Sequence, residues 1–222
     1  SLYYELLPEE CYSFNGENIV IKAGTEYTDV PISFNLDKID KDKNFVLPIS
    51  IVSTSEYRIG EPKYSTILMN VVLSNAYTGT YSLSGTIREV ATGDFIDVRM
   101  TRTLRVVDPS TVSLYAGNTS ERVSNRENYR MNMTVNADST LTFTPLHPDI
   151  IEINRDEPNL DPKNPRNKIL VERTVDVQNS HKSYIVTTFY MYYNYIDKTD
   201  PADPVEMRWE GTCSRTKTVF TK

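Results

Sequence analysis

The sequence predicts an all-β protein in two parts. A short strand-rich segment at residues 1–75 precedes a larger antiparallel β-barrel (lipocalin-like) or sandwich at 76–222. Three observations carry that prediction. Helical periodicity is nearly absent: no window longer than about ten residues repeats apolar positions at i, i+3, i+4 and i+7 between caps. Short runs rich in Val, Ile, Thr and Tyr recur instead, separated by Gly, Pro, Asn and Asp, the pattern of strands and turns. From residue 79 onward the runs alternate between apolar and polar residues, as a sheet with one dry and one wet face requires.

In the first segment, strands are expected near 18–22, 27–34, 45–53 and 64–73. Gly24-Thr25 and Gly60-Glu61-Pro62 supply turns between them. Pro31 and Pro48 fall inside two of these runs. Each lacks a ladder donor, so each should sit at an edge, a bulge or a strand start. Leu36–Asp42, LDKIDKD, predicts at most a single helical turn.

At Asn75–Gly79 the chain changes character. SNAYTGTYSLSG predicts entry into a new domain, with Gly79 and Gly85 bracketing its first strand. Tyr81, Leu83 and Ile87 then oppose Ser82, Ser84, Thr86 and Arg88. Tyr129, Met131, Met133 and Val135 oppose Arg130, Asn132, Thr134 and Asn136. After the turn Ala137-Asp138-Ser139, Leu141 and Phe143 oppose Thr140, Thr142 and Thr144. Near the end, Val205, Met207, Trp209 and Cys213 oppose Glu206, Arg208, Glu210, Thr212 and Ser214. Further strands near 97–107, 111–116, 149–154, 169–178 and 183–196 bring the second part to about nine. A barrel is favoured because an open sheet of that length leaves exposed edges. Residues 155–168, RDEPNLDPKNPRNK, are expected to form a long loop, since their three prolines exclude helix and central strand.

Composition removes several function classes. The net charge of −6 comes without a basic face, which excludes nucleic acid as a partner. The longest nearly uninterrupted apolar run, Phe45–Val52, is too short to span a bilayer. Cys11 and Cys213 have no Cys or His neighbour at metal spacing, so zinc is excluded. Two buried free thiols are expected in preference to a disulfide joining the chain ends.

No catalytic signature is present. The two histidines, His147 in Leu-His-Pro and His181 in Asn-Ser-His-Lys, lie in turn contexts and outside any nucleophile motif. Gly79 and Gly85 bracket a strand and open no helix, so no phosphate cradle forms. A glycosidase needs two carboxylates across a cleft; Glu206 and Glu210 beside Trp209 have the spacing of a solvated strand face. Asp197, Asp200 and Asp203 recur every third residue in IDKTDPADP. They lack the glycine and terminal glutamate of a calcium loop and read as turn aspartates. No catalytic residue, cofactor or metal is assigned.

The most aromatic segment is Tyr184–Ile196, YIVTTFYMYYNYI. Tyr190 and Tyr192 fall on one face, and Phe189, Met191, Tyr193 and Tyr195 on the other. One face must line the core. The other packs on a neighbouring domain or forms an open aromatic platform. Tyrosine rings stack on sugar faces and offer a hydroxyl to the polar rim, which makes Tyr192 and Tyr195 the candidate ligand-binding residues.

The segment YYELLPEECYSF…NIVIKAGTEYTDVPISF…LDKIDKDKNFVLPISIVS resembles the later half of an N-terminal domain of Bacteroidetes surface lipoproteins, domain-of-unknown-function family 1735. LLPEECY (Leu6–Tyr12), the IxAG turn (Ile21–Gly24) and FVLPISI (Phe45–Ile51) carry the resemblance. Residues from AYTGTYSLSG onward are similar to a companion C-terminal domain, unknown-function family 4361. The resemblance implies a truncated immunoglobulin-like sandwich at 1–75. It also implies export to the cell surface or periplasm on a lipid anchor outside this chain, in a glycan-utilisation setting. Family members carry strands before LLPEECY, and four or five strands do not complete a seven-stranded sandwich. The expectation is therefore a fragment of a longer precursor. The expected function is a non-catalytic surface module that binds glycan or another surface protein. The alternatives are a purely structural or adhesion protein with no small-molecule ligand, and a glycoside hydrolase accessory or enzyme fragment.

Overall fold

The structure, a computed structural model, describes residues 3–14, 18–41, 43–155, 165–198 and 200–220. The chain divides into two compact units, Ser1–Leu73 and Ser74–Lys222. The all-β expectation holds. Among the described residues, helix is limited to one four-residue turn, Pro62–Ser65, and 3-10 turns at Glu9–Cys11 and Arg126–Tyr129.

The first unit holds β1 (Glu5–Leu6), β2 (Tyr12–Phe14), β3 (Ile32–Phe34), β4 (Phe45–Ser50) and β5 (Thr66–Val71). They form two small sheets, β1-β4-β5 and β2-β3. Leu7, Cys11, Ile39 and Phe45 make its buried centre, with Tyr12, Phe34, Val71 and Leu73 packed around them. Pro48 fits its strand for a local reason. The carbonyls of Asn44 and Val46 accept N–H groups from the β1 side. Two residues on, the proline's missing donor faces the same side, beyond the end of β1 at Leu6. Pro31 sits just before β3. The strand expected at 18–22 does not form, and the one expected at 27–34 shrinks to Ile32–Phe34. Val20 is 71% exposed; β-propensity without a face to bury does not make a strand. Leu36–Ile39 forms turns, with Lys38 N–H donating to Asn35 O at 3.2 Å.

The second unit contains β6 (Gly79–Glu89), β7 (Phe95–Val106), β8 (Thr111–Tyr115), β9 (Arg130–Val135), β10 (Leu141–Pro145), β11 (Ile151–Arg155), β12 (Lys168–Val175), β13 (Lys182–Asp197) and β14 (Val205–Phe220). They form one nine-stranded sheet in the order β10-β9-β8-β7-β6-β14-β13-β11, with β12 also on β13. β13 holds two partners end to end: β12 pairs along Ser183–Tyr190 and β11 along Tyr193–Asp197. The sheet curls until β10 meets the start of β12. There Thr140 bridges Lys168, and Leu141 N–H donates to Asn167 O at 2.8 Å. The result is a nearly closed antiparallel barrel.

Inward-facing residues fill it. Trp209, Phe189, Leu104, Met131, Met133 and Ile151 have no exposure at all. β6 does not end at Gly85 as expected but runs on to Glu89. Gly85 faces Gly211 across the β6–β14 ladder, and a Cβ on either would collide with the opposite backbone and the Trp209 indole. The glycine pair is a slot for that ring. Both cysteines are free and buried. Burial pushes the Cys213 thiol up to about 12, which leaves it inert as a nucleophile.

Candidate functional site on the barrel wall

β13 decides where the two candidate tyrosines go. Phe189, Met191, Tyr193 and Tyr195 belong to the barrel core, and period two turns Tyr190, Tyr192 and Asn194 outward. Tyr195 is packed 6.1 Å from the Tyr193 ring, centroid to centroid, and burial pushes both hydroxyls above the ordinary tyrosine range. It offers no ring face to solvent. Tyr192 points away from the core, yet only 5% of it is exposed. Its cover is Arg166, whose guanidinium lies 3.7 Å from the ring centroid, with Arg208 at 5.5 Å. The two tyrosines stand on opposite faces of β13 and do not form one platform.

Asn167 sets the position of Arg166. Between the last β12 partner, Tyr190, and the first β11 partner, Tyr193, the β13 backbone has no paired strand. Asn167 fills that gap: its side-chain Oδ1 accepts the Tyr192 N–H at 2.8 Å, while its carbonyl accepts from Leu141 of β10. It does so at φ +48, a left-handed conformation that asparagine tolerates better than other side chains. Arg166, one residue earlier, is thereby laid on Tyr192.

The surroundings are polar and planar. Arg208 Nε donates to Asn194 Oδ1 at 2.9 Å, and Asn194 Nδ2 donates to Glu206 Oε1 at 3.0 Å. Arg166 lies 3.7 Å from the Glu210 carboxylate, and its buried Nε has no hydrogen-bond partner among the described residues. Two guanidiniums thus lie against a single aromatic ring, with Glu210 opposite it in the ladder and Asn194 and Glu206 continuing the polar row along β13 and β14. A cation–π stack contributes about 0.5–1 kcal/mol when exposed and about 2 kcal/mol when desolvated, as on the nearly buried Tyr192 ring, and a surface ion pair about 0–1 kcal/mol. The unpartnered donor costs about 1–3 kcal/mol. For Arg166 the stack and the unpartnered donor are thus of similar size and opposite sign. Glu206 and Glu210 share one face of one strand, engaged with Asn194 and Arg166, and do not confront each other across a cleft.

The barrel interior holds a group that sequence reasoning missed. Arg102 has no exposure and donates to Thr119 O at 2.6 Å and to Gly117 O at 2.9 Å. Burial pushes its guanidinium below the ordinary arginine range. Gly117 N–H in turn donates to the Tyr193 hydroxyl at 3.0 Å, and Thr103 N–H donates to Glu121 Oε1 at 2.6 Å. Loop residues 117–121 are clamped onto interior side chains. The signal was available: Val98, Met100, Arg102 and Leu104 share one parity along β7. The filled interior is a packed core rather than a ligand chamber.

The remaining sequence candidates lie apart from this wall. The main-chain carbonyl of His147 accepts the Ile150 and Ile151 N–H groups, and His181 N–H donates to Asn179 Oδ1 at 3.1 Å. Asp197 accepts the Tyr129 hydroxyl at 2.9 Å, and Asp200 accepts the Ala202 N–H at 2.9 Å. Among the described residues no three His, Cys, Asp or Glu side chains group to hold a metal ion, and no helix is long and apolar enough to cross a membrane. Of the proline-rich loop expected at 155–168, residues 156–164 lie outside the described residues.

Two paired family models match the chain. A "-like, C-terminal" model covers residues 65–214, and a "-like, N-terminal domain" model covers residues 1–58. No curated protein matches it. Among solved structures, a Bacteroides ovatus protein of unknown function is 24% identical with a TM-score of 0.74, over 99% of this chain and 73% of that one. A Bacteroides ovatus multidomain protein that includes domain of unknown function 1735 is also 24% identical, at TM-score 0.71 over 99% and 73%. An auxiliary nutrient binding protein from Bacteroides thetaiotaomicron is 19% identical at TM-score 0.66, over 97% and 71%. At these identities the likeness is one of fold.

Proposed function

The chain belongs to the family that these paired N-terminal and C-terminal domain models define, and from that premise we propose that it is a non-catalytic, exported surface module that binds nutrient glycan. One observation carries the reading: the barrel interior is filled with side chains, so recognition is left to its outer wall. There the chain gathers planar hydrogen-bonding groups around an aromatic ring and no confronting carboxylate pair. Such a wall suits a ligand that presents a ring face and a rim of hydroxyls. The nutrient-binding role named for the Bacteroides thetaiotaomicron structure is in keeping with this reading. Surface or periplasmic location, a lipid anchor in the precursor, and membership of the second unit in unknown-function family 4361 are parts of the same proposal. Probing an array of neutral and acidic plant and host glycans with the purified chain tests it. Saturable binding to at least one glycan class is expected; a blank array overturns the reading.

A second reading, a structural or adhesive protein with no small ligand, has its own observation. Along β12, residues Leu170–Val175 are all exposed, and among the described residues β10 reaches β12 at the Thr140–Lys168 bridge by the start of that strand. An open edge of this kind accepts an added strand from a partner. Light scattering decides: a strict monomer that binds no surface protein removes this alternative.

A further inference from the structure

The stack of Arg166 on Tyr192 is unusual for where it lies. A tyrosine on the outer face of a sheet is ordinarily half open to water. Here the ring carries a guanidinium from the segment before β12 at 3.7 Å, with Arg208 of the neighbouring β14 at 5.5 Å. The covering group is poorly satisfied: its nearest carboxylate oxygen, on Glu210, is 3.7 Å away, and its buried Nε has no hydrogen-bond partner among the described residues. Beneath it the wall is fully organised. Tyr192 is fixed through its main-chain N–H by Asn167 at 2.8 Å. Asn194 links Arg208 and Glu206 in a chain of hydrogen bonds of 2.9 and 3.0 Å. A ring fixed through its main chain under a planar cover whose buried Nε has no partner among the described residues is the arrangement of an occupied stacking site.

We propose that Tyr192 is the stacking platform for a neutral sugar ring, and that Arg166 is the cover this ring displaces. The inference rests on the glycan-binding reading and adds the site and the ligand class. Charge selects the class. Arg208 and Glu206 are joined through Asn194, Arg166 faces Glu210, and Arg88, opposite Arg208, is turned to the Gly93 carbonyl and the Phe95 ring, so an anion meets the glutamates and a cation meets the arginines. A neutral pyranose meets neither penalty: its apolar face replaces the guanidinium on Tyr192, and its hydroxyls both donate to carboxylates and accept from Arg208 and Asn194. Arg166 then swings outward into water.

Affinity gel electrophoresis of the whole chain tests this, with yeast mannan, wheat arabinoxylan, potato starch and polygalacturonate as the probes. The expected result is retardation by a neutral polysaccharide, at least tenfold weaker for Tyr192→Ala and for Arg208→Ala. Arg166→Ala retains binding or tightens it, because the cover is gone. Tyr192→Leu, which keeps apolar bulk without a ring, guards against misfolding and also loses binding. If Arg166→Ala weakens binding as much as Tyr192→Ala does, Arg166 is no cover and the inference falls. Retardation by polygalacturonate alone overturns the neutral class. If the wild type is retarded but the Tyr192 and Arg208 variants match it, the site is elsewhere while the glycan-binding reading survives. If the wild type passes every gel unretarded, both fall.

Discussion

The side-chain carbonyl of Asn167 accepts the main-chain N–H of Tyr192 at 2.8 Å, across 25 residues of sequence. That bond sits where β11 and β12 abut on β13, and the same residue's main-chain carbonyl receives Leu141 of β10. One residue therefore ties three strands at the barrel's seam and delivers Arg166 to Tyr192. Barrel closure and the candidate site have a common origin.

Asn167→Ala leaves the buried Tyr192 N–H without a partner and places an alanine at φ +48. A loss of about 1–3 kcal/mol is expected from the orphaned donor. It is read as a lowered urea midpoint, with faster amide exchange at Tyr192 and Leu141. An unchanged midpoint would show that the seam closes without it.

Gly117 takes a left-handed conformation that a glycine adopts without strain and other residues do not. Its φ is +55, and a Cβ there would lie 2.6 Å from the Tyr195 hydroxyl. Gly117→Ala is expected to cost about 1–2 kcal/mol in backbone conformation alone, with the collision added. Combining it with Tyr195→Phe removes the oxygen and should recover part of the loss in thermal melts. Strict additivity of the two changes counts against direct contact.

Arg102 holds loop residues Gly117 and Thr119 by their carbonyls. Arg102→Met keeps volume, removes the buried charge and orphans two acceptors, at about 1–3 kcal/mol each. The distinguishing readout is local: amides of residues 117–121 should lose exchange protection ahead of β13 and β14. Uniform loss across the barrel argues that Arg102 is packing and not a clamp.

Glu127 gives a pH signature. Burial raises its carboxyl, but the Tyr115 hydroxyl, Arg130 and Arg126 outweigh that, and its value falls below the ordinary 4.5. A carboxylate depressed in the folded state contributes stability above its unfolded value, and that contribution is lost as pH falls through the lower folded value. Wild type should therefore lose stability below about pH 4.5, and Glu127→Gln should lose less over that interval. Urea midpoints at pH 7 and pH 3.5 check it; equal slopes for both proteins would remove Glu127 from the acid transition.

Much of the fold was legible. Strand parity along 79–89, 130–135 and 205–214 marked inner and outer faces, and it separated Tyr192 from Tyr193 and Tyr195. Two free buried thiols were expected and are present. Where the reading failed, burial was the missing term. Residues 19–22 have strand composition and no sheet to join, whereas Gly85 sits mid-strand because Gly211 and Trp209 need its small size.

The sequence by itself determined the all-β class and which residues of each strand share a face, because alternation is set by covalent geometry over a few residues. It could not determine what covers a face. That Arg166 lies on Tyr192, that Arg102 turns inward to a loop, and that Asn167 closes the barrel all depend on contacts between distant segments. Only the curl of the completed sheet brings those segments together.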